Sequence, residues 1–415
     1  MTSVANILSG ERQLRRMGLI ALLLLVAGCY ASAPGSPPTP PLPATPTGPV
    51  VQVALLSPTS GELATFGRMM RNGAGMALEQ ANNRGGVRGR RLEWLTYDAP
   101  CDFDLARQAA QQAIADGIQF IIGPLCSEAA LAVVEPVQAA GVVLISPTAT
   151  HPLVTVDQRG QTRLTIFRAA YVDDWQARAA ACFARQTLQA NTAALLADPT
   201  DDYSRRLAAT FARQFSTQSG QIVHQSTVAP GESDLSAALA ASRKAGASVL
   251  YLPAPAEIAN RAAAQLSGLN LSNRITLLGS DAWEADALDR RAVAGGYFTT
   301  HFVLADPRPI VQTWAEAYQA DYAIEPNTLA ALGYDAAGLL VEAMVQAGSF
   351  EPTMVAHTLE QITFVGVTGP VRFDRQHNPL KAVPVVRLGE GELEFVASIQ
   401  VDPLTLACPG RPTAQ

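Results

Sequence analysis

From Val50 onward the chain repeats one alternation: a short apolar run, a turn, then a longer stretch with helical periodicity. Val50 to Leu56 reads as a buried strand, and 66–83 as a helix that Gly85-Gly86 terminates with the positive φ a C-cap needs. Strands follow at 92–97, 120–122 and 142–145, with helices at 104–116, stopped by Gly117, and at 128–140. A second series places helices at 173–187, 204–219, 234–245 and 256–266, with strands at 192–196, 221–228, 249–252 and 275–278. Strands separated by crossover helices form parallel sheets covered on both faces. Two such units in tandem make an α/β protein with two Rossmann-like lobes. Further helices are expected at 310–322 and 329–347 with no strand between them, and strands at 383–388 and 393–399.

The first 49 residues do not share this pattern. Arg12, Arg15 and Arg16 precede an apolar run, Met17 to Ala27, too short to span a bilayer core of about 30 Å. Small residues follow, then Cys29. The order looks like a bacterial lipoprotein signal, cleaved before a cysteine that carries lipid; the plainer alternative is a secretory leader with a chance cysteine. Residues 1–28 are thus expected to be a signal peptide. Residues 29–49 are expected to be lipidated Cys29 with a linker, Tyr30 to Pro49, that holds eight prolines and stays extended. Twenty residues at ~3.1 Å each reach up to roughly 60 Å, which holds the body away from an extracytoplasmic membrane face.

The mature chain carries 27 basic and 35 acidic residues, a net charge near −8, with no basic stripe, so nucleic acid is not an expected partner. His151, His224, His301, His357 and His377 are scattered without metal-ligand spacing; neither a metal nor a cofactor is expected. No nucleophile elbow, P-loop or dinucleotide fingerprint is present, which argues against an enzyme.

In open parallel sheets ligands bind where strand ends lead into helix N-termini. The loops to inspect are Ser57 to Phe66, Gly123 to Ser127, Ser146 to His151, Asp198 to Tyr203, Pro253 to Pro255 and Gly279 to Trp283. Ser127 opens a helix, where its hydroxyl and the free N–H groups suit an anion; the same serine also reads as a simple N-cap.

These loops resemble those of the type I periplasmic solute-binding proteins, most closely the branched-chain amino-acid (leucine/isoleucine/valine-type) receptors of ABC importers. The likeness is carried by Ser60-Gly61 with Phe66-Gly67, Gly85-Gly86-Val87-Arg88-Gly89, Tyr97-Asp98 to Cys101-Asp102, Gly123-Pro124-Leu125-Cys126-Ser127 and Ile145-Ser146-Pro147-Thr148-Ala149-Thr150. Asp202-Tyr203, Gly279-Ser280-Asp281 and Gly333-Tyr334-Asp335-Ala336 match more weakly. The resemblance implies two lobes joined by a three-stranded hinge, with lobe 1 at 50–169 plus 301–362 and lobe 2 at 170–300 plus 363–405.

It also implies a ligand and the groups that hold it. An amino-acid zwitterion is buried only if donors meet its carboxylate and acceptors its ammonium. By resemblance Ser127 holds the carboxylate, Ala149 and Thr150 contact both ends, and Asp281 pairs with the ammonium from the opposite lobe; alone, Asp281 reads as an N-cap. Tyr203 is implied to cap the cleft and Phe66 to wall it, and Trp283 adds a further candidate face, although an isolated aromatic residue is usually core. Pro253-Ala254-Pro255-Ala256 departs from the leucine-receptor pattern, which implies a different side-chain pocket.

Cys101 and Cys126 match a disulfide of the leucine-receptor group. Cys182 and Cys408 are left either free or paired, a bridge the resemblance does not supply. The implied partners are an amino-acid-like ligand, ABC permease subunits and, through the lipid anchor, a membrane, with the protein itself a monomer. A ligand sensor of the same fold, responding to amides, ureas or amino acids, is the other reading.

Overall fold

The computed structural model describes residues 46–284, 287–389 and 391–408. The leader, Cys29 and most of the proline-rich segment lie outside the described residues.

Five parallel strands form the first sheet: β1 (Gly48–Ser57), β2 (Arg90–Asp98), β3 (Phe120–Ile122), β4 (Val143–Ser146) and β5 (Ile166–Arg168), in the order β2-β1-β3-β4-β5. Since β1 begins at Gly48, which pairs with Arg90, the last two residues of the expected linker belong to the sheet. Side chains alternate across β1. Val53 and Leu55 enter one core, with residues of α1 (Ala64–Asn83), α9 (Thr328–Ala347) and α10 (Pro352–Gln361). Ala54 and Leu56 enter another, with α2 (Phe103–Ala115) and α3 (Ser127–Ala139). Helix α8 (Pro309–Tyr322) packs beside α1 through Met69, Trp314 and Tyr318.

Helices α1 and α9 cross where Gly73 meets the Ala330 carbonyl and Gly333 meets the Met70 carbonyl. A methyl group at either glycine would collide with the facing backbone. Helix α9 is long and apolar enough to cross a membrane, but it is largely buried in this core.

The second sheet has seven strands in the order β14-β13-β10-β9-β8-β6-β7. Its parallel part holds β6 (Thr192–Ala197), β7 (Gln221–Thr227), β8 (Val249–Leu252), β9 (Thr276–Gly279) and β10 (Tyr297–Thr299). At one edge two further strands are added with the opposite direction. β13 (Val383–Leu388) runs antiparallel to β10, and β14 (Leu393–Ile399) runs antiparallel to β13, as a connection too short for a crossover helix requires of those last two strands. Helices α4 (Asp173–Gln186) and α5 (Asp202–Thr217) cover one face; α6 (Ser236–Lys244) and α7 (Ala256–Gly268) cover the other.

The chain passes from the layers of one sheet to those of the other after β5, after β10, and between a small hairpin, β11 (Phe364–Gly366) with β12 (Gly369–Val371), and β13. At the third passage the buried Lys381 ammonium donates to Thr368 Oγ1 at 2.8 Å. Thr368 in turn donates its hydroxyl and its N–H to Asp335 of α9, which also receives the Val367 N–H at 2.8 Å. Burial pushes the Lys381 pKa down to about 8 against the attraction of Asp335, and burial pushes Asp335 up.

Two disulfides tie this framework. Cys101–Cys126, with Cα atoms 5.6 Å apart, joins the loop after β2 to the start of α3. Cys182–Cys408, at 5.4 Å, fastens the C-terminal segment to α4 and closes the pairing that the sequence leaves open.

Candidate functional site

The loops after β3 and β4 lie together. Thr148 donates its hydroxyl to the Leu125 carbonyl, and the His151 N–H approaches Ser127 Oγ at 3.4 Å. Ser127 is the first helical residue of α3, while Cys126 occupies the cap and supplies no side-chain acceptor. The serine is therefore not an N-cap. The first N–H groups of α3 have no side chain capping them, which leaves a donor cluster suited to a carboxylate.

Ala149 is buried, and its carbonyl accepts from Arg168 Nη1 at 2.9 Å. Arg168 is itself fully buried, and its second nitrogen donates to the carbonyls of His151 and Pro152 and to Thr155 Oγ1. This fan of bonds fixes the path of the loop that carries Thr150. Across from it stands Asp173, the first residue of α4: the Thr150 hydroxyl is one of the groups acting on the Asp173 carboxylate. Helix α5 approaches the same loop, since Arg206 and Asp202 both act on His151.

Asp281 opens a 3₁₀ turn directly after β9. Its Oδ1 accepts from Gln176 Nε2 at 2.9 Å and from the Tyr203 hydroxyl; its Oδ2 lies 3.2 Å from His301 Nε2. Thr299 donates to Gln176 Oε1 at 2.8 Å, which turns the amide so that its NH₂ faces Asp281. Burial alone would raise the Asp281 pKa, but the hydrogen bonds from His301, Tyr203 and Gln176 outweigh it and hold the carboxyl below its ordinary value. Burial lowers the pKa of His301, so the imidazole is a neutral donor at pH 7. Asp281 is thus an anion held by neutral groups; among the described residues no Lys or Arg stands within ion-pair distance of it.

Three tyrosines surround the two carboxylates. Tyr171 stacks on His301 with ring centroids 3.7 Å apart, Tyr251 stacks on Phe211 at 4.2 Å, and Tyr203 binds Asp281. Burial and the charges of Asp281 and Asp173 push all three phenols well above their ordinary pKa. The hydroxyls of Tyr171 and Tyr251 and Oδ1 of Asp173 are buried without a hydrogen-bond partner. Such groups cost free energy unless a ligand or water meets them.

Ser127, Ala149 and Thr150 share the loops after β3 and β4, Tyr203 and Asp281 meet beside the second sheet, and Asp173 responds to both the Thr150 hydroxyl and the charge of Asp281. Phe66, in the first turn of α1, is 42 % exposed and stands free at the surface. Trp283 is fully buried against the core of the second sheet, its indole over Gly279 and tilted against Phe298 at 6.3 Å. The sequence reading missed Tyr171, Asp173, Gln176, Tyr251 and His301. The signal that could have found them is polarity in the wrong place: an acid and an amide at the start of an alanine-rich helix, and a histidine directly after a strand. Cavities of about 370 and 280 Å³ lie elsewhere, beside Val50 and Phe350 and beside Asp198 and Thr227.

Comparison with known proteins matches this architecture. The profile of the family described as "Periplasmic binding protein" matches residues 50–392. The chain is 27 % identical to the leucine-, isoleucine-, valine-, threonine- and alanine-binding protein of Pseudomonas aeruginosa, over 79 % of this chain and 86 % of the relative. It is 28 % identical to the leucine-specific-binding protein of Salmonella typhimurium, over 79 % and 87 % of the two chains. The crystal structure of the leucine-binding protein LivK from Thermotoga maritima superposes with a TM-score of 0.70 at 29 % identity, covering 85 % of this chain and all (100 %) of that one. The Streptococcus pneumoniae branched-chain amino-acid transporter substrate-binding protein LivJ, in complex with isoleucine, gives 0.69 at 25 % identity, over 84 % and 99 %. The protein therefore belongs to the type I periplasmic binding proteins, the extracytoplasmic solute receptors that include the branched-chain amino-acid receptors.

Proposed function

We propose that this protein is the substrate-binding lipoprotein of an ABC importer, and that it captures an amino acid between two closing lobes, 50–169 with 301–362 and 170–300 with 363–405. The observation that carries the reading is the state of Asp281. An anion held only by neutral donors, at the meeting of two α/β layers, is completed by a cation, and an α-ammonium supplies one. The start of α3 with Ser127, and Thr150 beside it, would take the carboxylate of the same ligand. A zwitterion touched at opposite ends by opposite lobes binds the closed form better than the open one, which is what drives closure. Tyr203 would close over the guest, and Phe66 would stand at the rim.

The membrane anchor rests on Cys29 and its flanks, and delivery to a permease on the importer relatives. The departure at Pro253-Ala254-Pro255-Ala256 and the unpartnered phenols of Tyr171 and Tyr251 favour a side chain more polar than leucine. A thermal-shift screen against the twenty common amino acids, small amides and ureas tests the reading, because a ligand that binds only the folded form raises the midpoint by mass action. A rise with one or a few amino acids supports it. A rise confined to amides or ureas moves the protein to the sensor reading, and no response to any of them removes both.

A further inference from the structure

Glu284 closes the short turn that Asp281 opens. Its N–H donates to the Asp281 carbonyl at 2.9 Å. In a 3₁₀ turn positions i and i+3 eclipse, so the two acids leave the loop after β9 on the same side. They make different contacts. Glu284 Oε2 accepts from Thr300 Oγ1 at 2.7 Å, on the segment that leaves β10, and Oε1 accepts from the hydroxyl of Thr328, the first residue of α9. The loop after β9 belongs to the second sheet and α9 packs on the first, so this carboxylate stands where the two α/β layers face each other. Thr300 and Thr328 are buried, while Glu284 as a residue is exposed. Among the described residues no Lys or Arg pairs with it, and Arg290 acts on it through charge alone.

A donor lies near both acids and reaches neither. The Tyr171 hydroxyl is fully buried without a hydrogen-bond partner, and Asp281 and Glu284 are the two charges that act on it most strongly. Stacking on His301 at 3.7 Å keeps the ring from swinging toward either one. A buried phenol beside two carboxylates and bonded to none points to a guest that meets all three groups.

We infer that Glu284 receives a second positive charge, at the side-chain end of the ligand, and that the guest of this protein is a basic amino acid: lysine, ornithine or arginine. This rests on the proposed capture of an amino acid at this site and narrows it to one class.

The charge balance favours that class. A zwitterion with a neutral side chain brings one cation, which the proposed reading assigns to Asp281, and leaves Glu284 with two neutral hydroxyls. A carboxylate can accept more than the two bonds Glu284 has, so a cation can join the threonines without displacing them. A chain of three or four methylenes lets the two nitrogens of one ligand reach two acids that spring from one turn. Desolvation of the carboxyl, with the repulsion of Asp281 added, pushes Glu284 up to about 7 against the pull of Thr328 and Thr300, so at pH 8 it is ionised. Norleucine is the informative comparison, since it differs from lysine only in lacking the terminal ammonium.

The test uses the full-length protein at pH 8, with L-lysine, L-ornithine, L-arginine, L-norleucine and L-leucine as probes in titration calorimetry. At least one of the three basic amino acids is expected to bind roughly 30-fold or more tighter than norleucine. Glu284→Gln keeps the size of the side chain and removes its charge, and should bring that ratio down toward one. An unchanged melting midpoint shows that the variant is folded. If it does not fold, Glu284→Asp takes its place: drawing the charge back by one methylene should lower the ratio. Norleucine or leucine binding as tightly as the basic amino acids overturns the inference while the proposed function stands. So does binding of other amino acids but none of the basic three, or a wild-type ratio that persists in the folded variant. Failure of every common amino acid to bind the wild type overturns the proposed function, and this inference with it.

Discussion

His301 Nε2 lies 3.2 Å from Asp281 Oδ2 while the imidazole stacks on Tyr171, 3.7 Å between centroids. The two contacts hold the ring in one plane and leave Nδ1 without a partner, which identifies Nε2 as the protonated nitrogen. The pair is therefore a neutral donor and an anion, and its net charge of −1 is what a cationic ligand group would cancel.

Removing that charge is the most direct intervention. Asp281→Ala should weaken amino-acid binding by about 2 kcal/mol or more, since the ligand's ammonium would lose a buried partner. Calorimetry at pH 8 measures it, and an affinity equal to wild type would exclude Asp281 from the site.

Ligand-free stability should respond to Asp173 in the opposite sense. Its folded-state pKa stands near 7, above its ordinary 3.8, so the folded chain holds a proton that the unfolded chain has lost between these values. Its contribution is most favourable below about pH 4, declines as pH rises toward 7, and is flat above. Asp173→Asn removes the decline. Relative to wild type, the variant should gain little at pH 4 and a few kcal/mol at pH 8, read from urea melts at both pH values. Glu284 adds a parallel decline that the variant keeps. A stability difference independent of pH would contradict the assignment.

The third passage between the sheets depends on Lys381. Lys381→Met should destabilise the protein by about 3–5 kcal/mol, because Asp335 keeps its buried charge and loses the nearby cation. Adding Asp335→Asn removes that charge and keeps an acceptor for the Val367 N–H, so the double variant should recover part of the loss. If the two substitutions instead add, the residues are not coupled.

Anchoring is tested separately from binding. Cys29→Ala should move the protein from the membrane fraction to the soluble fraction while leaving ligand affinity unchanged. A variant that stays with the membrane would show that something other than a lipid on Cys29 holds it there.

Much of the scaffold is legible in the sequence because strand and helix periods are local properties. Val50 to Leu56, Gly85-Gly86 and Gly117 mark their elements without help from distant residues. The three-residue strands β5 and β10 are not legible, since so short a run has no period and becomes a strand only when neighbours pair with it. The same division runs through the site. Ser127, Thr150, Tyr203 and Asp281 stand in or just beyond the loops at strand ends, and the resemblance of those loops to a known family picks them out. Asp173 and Gln176 read as ordinary residues of a helix start, Tyr251 as part of a strand, and His301 as one of five scattered histidines. Only the packing of α4 against β10 brings Gln176 and His301 to the Asp281 carboxylate. Trp283 shows the reverse: its position in a loop suggests a wall, and Gly279 leaves the space that draws the indole into the core. The order of elements follows from hydrophobic periodicity, whereas the charge state and partners of each polar group depend on what surrounds it in three dimensions, and burial is not a local property.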